Sequence, residues 1–561
     1  MKTSIHFASS FKKYRSFPNV HINRTWPSNI INKAPIWASV DMRDGNQSLI
    51  DPMDVERKKR FFEMLVHIGF KQIEVGFPSA SQIDFDFIRV LIEESMIPDN
   101  IIIQVLTPAR ASLIKRTFEA IKGVKKAIVH LYNATSPLFR NLVLKLDKQS
   151  CKNLAVHHTA LIANLMKLHP ETNWIFQYSP EHFTTTERDF SIDVCETVMD
   201  TFGATVDKPV IINLPATVEV STPNIYADQI EWFCSHISER NRAIISLHPH
   251  NDRGTGIAAA ELGIMAGADR IEGTLFGNGE RTGNVDIVTI AMNLYTQGID
   301  PELDFSNVKL IMREVEYCNQ LPIHPRHPYV GELVFTAFSG THQDAIKKGL
   351  DKRCNDINSE NLWEVPYLPV DPIDLGRSYK AVIRVNSQSG KGGISYILEQ
   401  DYGIILPRRL SIEFSKIVKE IADKTGKEIT SEMIHTTFFE EYCRDIPYRL
   451  LLIKINNIGK IKISAIIKNY QNGKKYYLNG LGIEPVSVFT NALIKNNFDI
   501  SVIDYKESYR GAESITFIEI REKSIDTYGV GFHTNTTISA IMAIISAINS
   551  NYIKFNFNKI I

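Results

Sequence analysis

Ala34-Pro35-Ile36-Trp37-Ala38-Ser39-Val40-Asp41-Met42-Arg43-Asp44-Gly45-Asn46-Gln47 decides how the rest of the chain is understood. An apolar run ends in a polar turn, and Asp54 then opens the amphipathic VERKKRFFEMLVHIGF. That order predicts strand, turn and helix. It places Arg43 and Asp44 at the carboxyl end of a strand, where α/β proteins carry their chemistry. By itself an Arg-Asp neighbour pair is equally well a solvated loop pair.

The same unit recurs outward from this stretch. The β-rich runs are APIWASV, QIEVGF, IIIQVL, KAIVHLY, NWIFQY, PVIINL, AIISLH and RIEGTLF, separated by helical stretches such as SQIDFDFIRVLIEES and ADQIEWFCSHIS. About eight β/α units in roughly 250 residues is the count and length of a (β/α)8 TIM barrel. A doubly wound open sheet is the alternative, but it usually carries fewer repeats, and no glycine fingerprint follows the first strand. A barrel also demands that functional side chains gather just after the strands. The exits carry Arg43 with Asp44, Glu74, Thr107, His130, Ser179 with Glu181, Thr217, His248 with His250, and Glu280 with Asn284.

Ser246-Leu247-His248-Pro249-His250-Asn251-Asp252-Arg253-Gly254 is the second informative stretch. Residues i and i+2 of a strand project to one side, so both histidines can enter one space above the barrel. Two imidazoles with a carboxylate from another strand suit a divalent metal. The glycines of Gly273-Thr274-Leu275-Phe276-Gly277-Asn278-Gly279-Glu280-Arg281-Thr282-Gly283-Asn284 resemble a phosphate cradle, but no Gly-Lys-Ser/Thr follows and a P-loop is excluded. Gly390-Lys391-Gly392-Gly393 lacks the leading glycine and is expected to mark a flexible joint. His-x-His also occurs in barrel amidohydrolases, on the first strand. Here the first strand offers Arg-Asp, and a Lewis acid beside an arginine better suits a 2-oxo acid whose carbonyl becomes an alkoxide.

The chain has 561 residues, too long for one ordinary core, so several domains are expected. Lys+Arg and Asp+Glu both number 63, which gives no global electrostatic case for nucleic acid or an anionic membrane. Mean hydropathy is −0.12, and the expectation is a cytoplasmic protein with no membrane-spanning run. Six scattered cysteines without a CxxC pair predict free thiols. The basic first forty residues resemble a transit peptide in composition, yet hold Phe11, Tyr14, Phe17, Pro18, Trp26, Pro27 and Pro35. An ordered arm packed on the first domain is expected instead. The domain layout is therefore an arm over 1–35, a catalytic barrel over 36–304, linker subdomains over 305–435 and an end domain over 436–561. In the last, LLLIKIN and KIKISAIIKNY with an Asn472-Gly473 hairpin signal predict antiparallel strands. Gly480-Leu481-Gly482 before SVFTNALIK and Gly529-Val530-Gly531 before SAIMAIISAI predict a duplicated α+β fold.

DMRDGNQ, SLHPHNDRGTG and GTLFGNGERTGN resemble the signatures of the metal-dependent Claisen-condensing (DRE-TIM) enzymes. With YRSFPNV…RTWPSNIINKAPIW, FTAFSGTHQDAIKKG and VPYLPVDPIDLGRSYKAVIRVNSQSGKGG, nearly the whole chain resembles the longer alpha-isopropylmalate synthase family. The resemblance makes the N-terminus part of the mature protein. It implies condensation of acetyl-CoA with 3-methyl-2-oxobutanoate to 2-isopropylmalate and CoA, on the way to leucine. It assigns the metal (Mg2+, Mn2+ or Zn2+) to Asp44, His248, His250 and Asn284, and alkoxide stabilisation to Arg43. Thr217 would bind the substrate carboxylate, with His130 and Ser179 in the same pocket and Leu106, Tyr132 and Pro215 around the isopropyl group. The base is implied to be His342, acting in the other subunit of a homodimer with help from Tyr379; Glu181 and Glu280 are the barrel's own alternatives.

A monovalent cation such as K+ is left open. Two departures stand out. Met42 replaces the family's leucine, a volume-conserving change. Ile483-Glu484-Pro485 replaces Asn-Gly-Pro in the leucine-binding loop, which puts leucine as effector in question. Two other accounts compete: homocitrate or citramalate synthesis on the same barrel, and a non-catalytic leucine-sensing scaffold.

Overall fold

The computed structural model describes residues 17–18, 20, 22–355, 362–377, 391–425 and 429–557. The chain divides into two compact units, Met1–Val334 with Pro372–Arg377, and Phe335–Asp371 with Ser378–Ile561.

The first unit alternates strictly. It runs β1 (Ile36–Ser39), α1 (Val55–Ile68), β2 (Gln72–Gly76), α2 (Gln82–Glu93), β3 (Ile102–Pro108), α3 (Ala111–Ala120), β4 (Lys126–Ala134) and α4 (Lys148–Lys167). It continues β5 (Asn173–Glu181), α5 (Arg188–Phe202), β6 (Val210–Ala216), α6 (Pro223–His236), β7 (Ala243–Pro249), α7 (Gly256–Met265), β8 (Arg270–Gly273) and α8 (Ile287–Tyr295). The strands form a closed parallel barrel in sequence order, with β8 returning to β1 from Ile36↔Arg270 to Ser39↔Gly273. The expected (β/α)8 barrel is therefore the architecture.

Helix α1 shows how the pattern writes the element. Asp54 caps it by accepting from Arg57 N–H, and Gly69 ends it at φ +114°. Its buried positions are Lys58, Phe61, Phe62, Leu65 and Ile68, one stripe at helical spacing in which a lysine stands among apolar residues. Before the barrel, Arg24 makes two 2.7 Å bonds to Asp228 of α6, and the Trp26 indole donates to the same carboxylate at 2.9 Å. After it, α9 (Val308–Asn319) packs on α1.

The second unit contains α10 (Gly340–Asn355), α11 (Lys391–Tyr402), α12 (Arg408–Thr425) and α13 (Ser431–Tyr442). Then come β9 (Tyr448–Ile458), β10 (Lys460–Asn469), β11 (Lys475–Gly482), α14 (Pro485–Ile494), β12 (Ile500–Arg510), β13 (Glu513–Glu522), β14 (Ile525–His533) and α15 (Thr536–Phe557). Two three-stranded antiparallel sheets, each followed by one helix, realise the internal duplication. Both Gly-x-Gly pairs serve the same packing need. A Cβ at Gly480 would lie 2.6 Å from the Val488 carbonyl oxygen, and one at Gly531 would lie 2.0 Å from that of Ser539. In each half the helix thus rests directly on the last strand. Phe414, Phe438 and Tyr442 of α12 and α13 share a core with Phe517, Tyr528 and Val530 of the second sheet.

Two expectations are corrected. Lys391, Gly392 and Gly393 form the start of α11 rather than a flexible joint, and Gly393 lies against Gln343 of α10. A side chain there would have to displace the Gln343 amide. Residues Thr536–Phe555 of α15 are, by length and composition, apolar enough to cross a membrane, contrary to the expectation that no such run exists. Two thirds of that stretch is buried: Ile541, Ala543, Ile544 and Ala547 form the core of the end domain, so an all-apolar helix is here a central core helix. Cys151, Cys195, Cys234, Cys318 and Cys443 are free thiols. Tyr379 lies outside the described residues.

Candidate active site

Three N–H groups, of Arg43, Asp44 and Gly45, converge on the Val40 carbonyl and wind Asp41–Gly45 into one π-helical turn directly after β1. Such turns are rare and concentrate at functional sites. The turn delivers Arg43 and Asp44 side by side over the end of the barrel. Arg43 Nη1 donates to Asp44 Oδ1 at 2.8 Å, and its Nε donates to Glu74 Oε2, from β2, at 2.5 Å. The guanidinium is therefore fixed in direction before any substrate arrives.

His248 and His250 enter the same space from β7, with ring centroids 5.3 Å apart. His248 Nε2 lies 3.1 Å from Asp44 Oδ2 and His250 Nε2 lies 3.6 Å from the same oxygen. One potential ligand atom from each of Asp44, His248 and His250 falls within 4.8 Å of the others. The opposite nitrogen of His248 faces Glu272 Oε2 at 2.8 Å, so Nδ1–H donates there and Nε2 becomes the metal-facing nitrogen once its own proton is released. His250 bridges to Asn284, whose amide Nδ2 donates to the Asn278 carbonyl at 3.1 Å. Among the described residues, Asn284 Oδ1 and His250 Nδ1 are buried without a hydrogen-bond partner, which is costly unless something else takes them up. Two imidazoles, a carboxylate and an amide oxygen fit a divalent cation of mixed nitrogen and oxygen preference.

Charge follows this arrangement. Burial alone would raise the Asp44 carboxyl, but Arg43, His248 and His250 outweigh it and hold the group well below the usual carboxylate range. Burial likewise opposes charge on His248, yet Asp44 and Glu272 together bring it up to about 9. His250, buried and beside His248, is pushed down to about 4. Glu181 is raised by burial and by the Asp44 and Glu280 carboxylates, against the pull of Arg43. A carboxyl that keeps its proton more readily than usual, at the edge of a pocket, is suited to proton exchange.

The pocket over these groups encloses about 190 Å3. It is lined by Leu106, Tyr132 and Pro215, by Ser179, Glu181, Thr217 and Glu280, and by Arg43, Asp44, His130, His248 and His250. His130 links downward and upward: Nδ1 meets Glu74 Oε1 at 2.9 Å and Nε2 meets Ser179 Oγ at 2.7 Å. Thr217 Oγ1 accepts from the His182 N–H at 2.9 Å, which leaves its own hydroxyl proton for a ligand. Thr107 is buried in β3 and does not line this pocket. His342 belongs to the second unit, exposed at the start of α10 and stacked on Tyr367 with centroids 4.0 Å apart.

Sequence inspection missed Gln47, Phe77, Asn213 and Arg281, which also line the pocket. It also missed what lies beneath. Glu272 accepts from His248, Arg270, Gln104, Gln177 and Asn213 at 2.7–3.1 Å, and Arg270 in turn reaches Ser246 and Gln72. The barrel is filled here by polar side chains instead of the branched apolar layers usual for the fold. The signal was present: Gln72 with Glu74, Gln177 with Ser179, Ser246 with His248 and Arg270 with Glu272 are i, i+2 polar pairs inside otherwise apolar strands.

Residues 34–315 match the HMGL-like family, 332–399 match the alpha-isopropylmalate synthase post-catalytic domain-like family, and 428–552 match the LeuA allosteric (dimerisation) domain. The chain is 54% identical over 545 residues to the 2-isopropylmalate synthase of Pseudomonas putida (strain W619), covering 96% of this chain and 97% of that protein. It is 53% identical over 545 residues to the 2-isopropylmalate synthase of Azotobacter vinelandii, covering 96% of each. Among solved structures, hydroxymethylglutaryl-CoA lyase from Pseudomonas aeruginosa aligns with a TM-score of 0.43 at 18% identity, over 52% of this chain and 95% of the other.

Proposed function

The chain belongs to the 2-isopropylmalate synthase family, and from that premise we propose that it condenses acetyl-CoA with 3-methyl-2-oxobutanoate and water to give (2S)-2-isopropylmalate and CoA. The observation that carries this is the convergence of Asp44, His248 and His250 beneath a pre-oriented Arg43 in one pocket.

A divalent ion held by Asp44, His248, His250 and Asn284 would supply Lewis acidity to the keto carbonyl. Arg43, already fixed by Asp44 and Glu74, neutralises the alkoxide that forms on the keto oxygen. Thr217 offers its hydroxyl proton to the substrate carboxylate, and Ser179, anchored by His130 and Asn213, supports the same end. Leu106, Tyr132, Pro215 and Phe77 exclude water around the branched chain. A base removes a methyl proton from the thioester, and the resulting carbanion carbon bonds to the keto carbon; water then cleaves the thioester and releases the thiol. Glu181, whose proton affinity is raised, is the barrel's candidate for that exchange, with Glu280 beside it. His342, with Tyr379, is the candidate that the family resemblance supplies from a second copy.

The pocket favours an aliphatic oxo acid over a dicarboxylate. Among its described lining residues the arginines are Arg43 and Arg281, and both are already paired, the latter with Asp252 at 2.6 Å. A homocitrate synthase would need a cation for a second carboxylate. The proposal includes a homodimer and leucine as effector at the duplicated end domain, both supported by the LeuA domain match, and a cytoplasmic location.

The test is thiol release from acetyl-CoA with 3-methyl-2-oxobutanoate, pyruvate and 2-oxoglutarate in parallel, with and without chelator and leucine. Fastest release with the branched acid, lost on chelation, is expected. A faster reaction with either rival acid would overturn the substrate assignment, and no release with any acid would overturn the condensation itself.

A further inference from the structure

Lys58 is wholly buried on α1, in a stripe where every other buried residue is apolar. Its ammonium donates to the Met42 carbonyl at 3.0 Å and to Asp84 Oδ1 at 2.5 Å. Asp84, in the first turn of α2, is itself buried, and its second oxygen accepts from the Phe77 N–H at 2.7 Å. A Cβ on Gly76 would come within 2.8 Å of that carboxylate, so glycine is required for the approach. The two ends of this chain of contacts are informative. Met42 directly precedes Arg43 in the π-helical turn, and Phe77 lines the pocket, edge-on to Tyr132 with ring centroids 6.4 Å apart.

Taking two charges out of water is expensive, and a packed apolar pair at the same place would hold α1 against α2 at least as well. A buried pair whose hydrogen bonds all lead to the loops after β1 and β2 is better explained by what those loops carry. We propose that Lys58 and Asp84 are positioning residues: together they set the turn bearing Arg43 and Asp44 at a fixed height against the Phe77–Tyr132 wall. Neither touches the reacting atoms. This rests on the condensation assigned above, because it takes Arg43 and the wall to act on one substrate.

The test compares the full-length wild type with Lys58→Met/Asp84→Asn and Lys58→Arg. In the double variant no charge is left buried, and an asparagine oxygen still accepts from Phe77, but the tie to the Met42 carbonyl is gone. Thermal stability within a few degrees of wild type is expected, with kcat for thiol release at least tenfold lower and Mn2+ bound several-fold more weakly. Full kcat in a stable double variant would reduce the pair to ordinary packing and overturn the proposal. Should the double variant fail to fold, Lys58→Arg decides, since it keeps a cation paired with Asp84 and keeps the Phe77 bond, while its longer guanidinium cannot replace the ammonium at the Met42 carbonyl without moving the turn. kcat should then fall at least fivefold with KM for the oxo acid within twofold, and an unchanged kcat would overturn the proposal. Wild-type turnover tests the condensation separately, and the Mn2+ titration needs no turnover at all.

Discussion

Replacing Glu272 with glutamine keeps the side chain's shape and removes its charge. In the native barrel both carboxylate oxygens only accept: Oε1 from Arg270, Gln104 and Gln177, and Oε2 from His248 and Asn213. A glutamine amide must turn its NH2 towards one of these sets, so at least two donors will face a donor. Arg270, with no exposed surface, loses its only counter-charge among the described contacts. Breaking a buried pair in this way costs about 3–5 kcal/mol, and the unfolding transition should move down accordingly.

The functional consequence is separable from that loss. If the amide NH2 faces His248, Nδ1–H has no acceptor, the other tautomer is favoured, and Nε2 keeps a proton instead of offering a lone pair to a metal. Loss of such an orienting carboxylate typically weakens metal affinity 10–100-fold, about 1.4–2.8 kcal/mol. Isothermal titration of the apoprotein with Mn2+, below its unfolding temperature, reads this directly. A destabilised variant that binds Mn2+ as tightly as wild type would refute the claim that Glu272 orients the ligand.

Three further outcomes are expected. Arg43→Lys keeps one positive charge but cannot contact Asp44 and Glu74 together, so kcat for thiol release should fall about 100-fold while metal affinity changes little; a loss below tenfold would argue against alkoxide stabilisation by Arg43. His248, brought up to about 9, must release its proton to a metal, so apparent Mn2+ affinity should rise with pH by up to tenfold per unit and level off above about 9. Because this histidine ordinarily titrates near 6.5, the stability its charge gives the metal-free protein is complete below about 6.5 and is lost as pH rises through about 9. A flat affinity profile from pH 6.5 to 8.5 would be the contrary result. Glu484 caps α14 by accepting from Val486 and Ser487 N–H, so Glu484→Ala should destabilise the end domain by about 1 kcal/mol in a denaturant melt and leave basal turnover unchanged.

The strand exits were legible because each follows an apolar run whose period is plain, and the chain must turn where that run stops. Asp44 and His248 stand out for this reason although 204 residues separate them. The polar interior was not legible in the same way. Gln104 in IIIQVL and Asn213 in PVIINL each interrupt an apolar strand once, and nothing local distinguishes a side chain facing the barrel axis from one facing a helix. Lys58 was hidden more deeply, because a lysine at a helical period of apolar residues is usually one that reaches solvent. The start of α11 was misjudged since three glycines in four residues disfavour a helix locally. The contact of Gly393 with Gln343 is a tertiary reason that composition does not carry. Glu484 reads in the sequence only as a departure from Asn-Gly-Pro; in the fold it is the residue that caps a helix.

The polar filling of the barrel also constrains how such a protein can change over generations. Seven of its eight strands contribute to one bonded set through Gln72, Gln104, His130, Gln177, Asn213, Ser246 and Glu272 with Arg270. Any single replacement strands a donor or acceptor where water cannot reach it, so drift in this layer requires coordinated substitutions. Leu106, Tyr132, Pro215 and Phe77 carry no such obligation. Lineages that come to accept a different oxo acid are therefore expected to diverge at the rim and keep the floor.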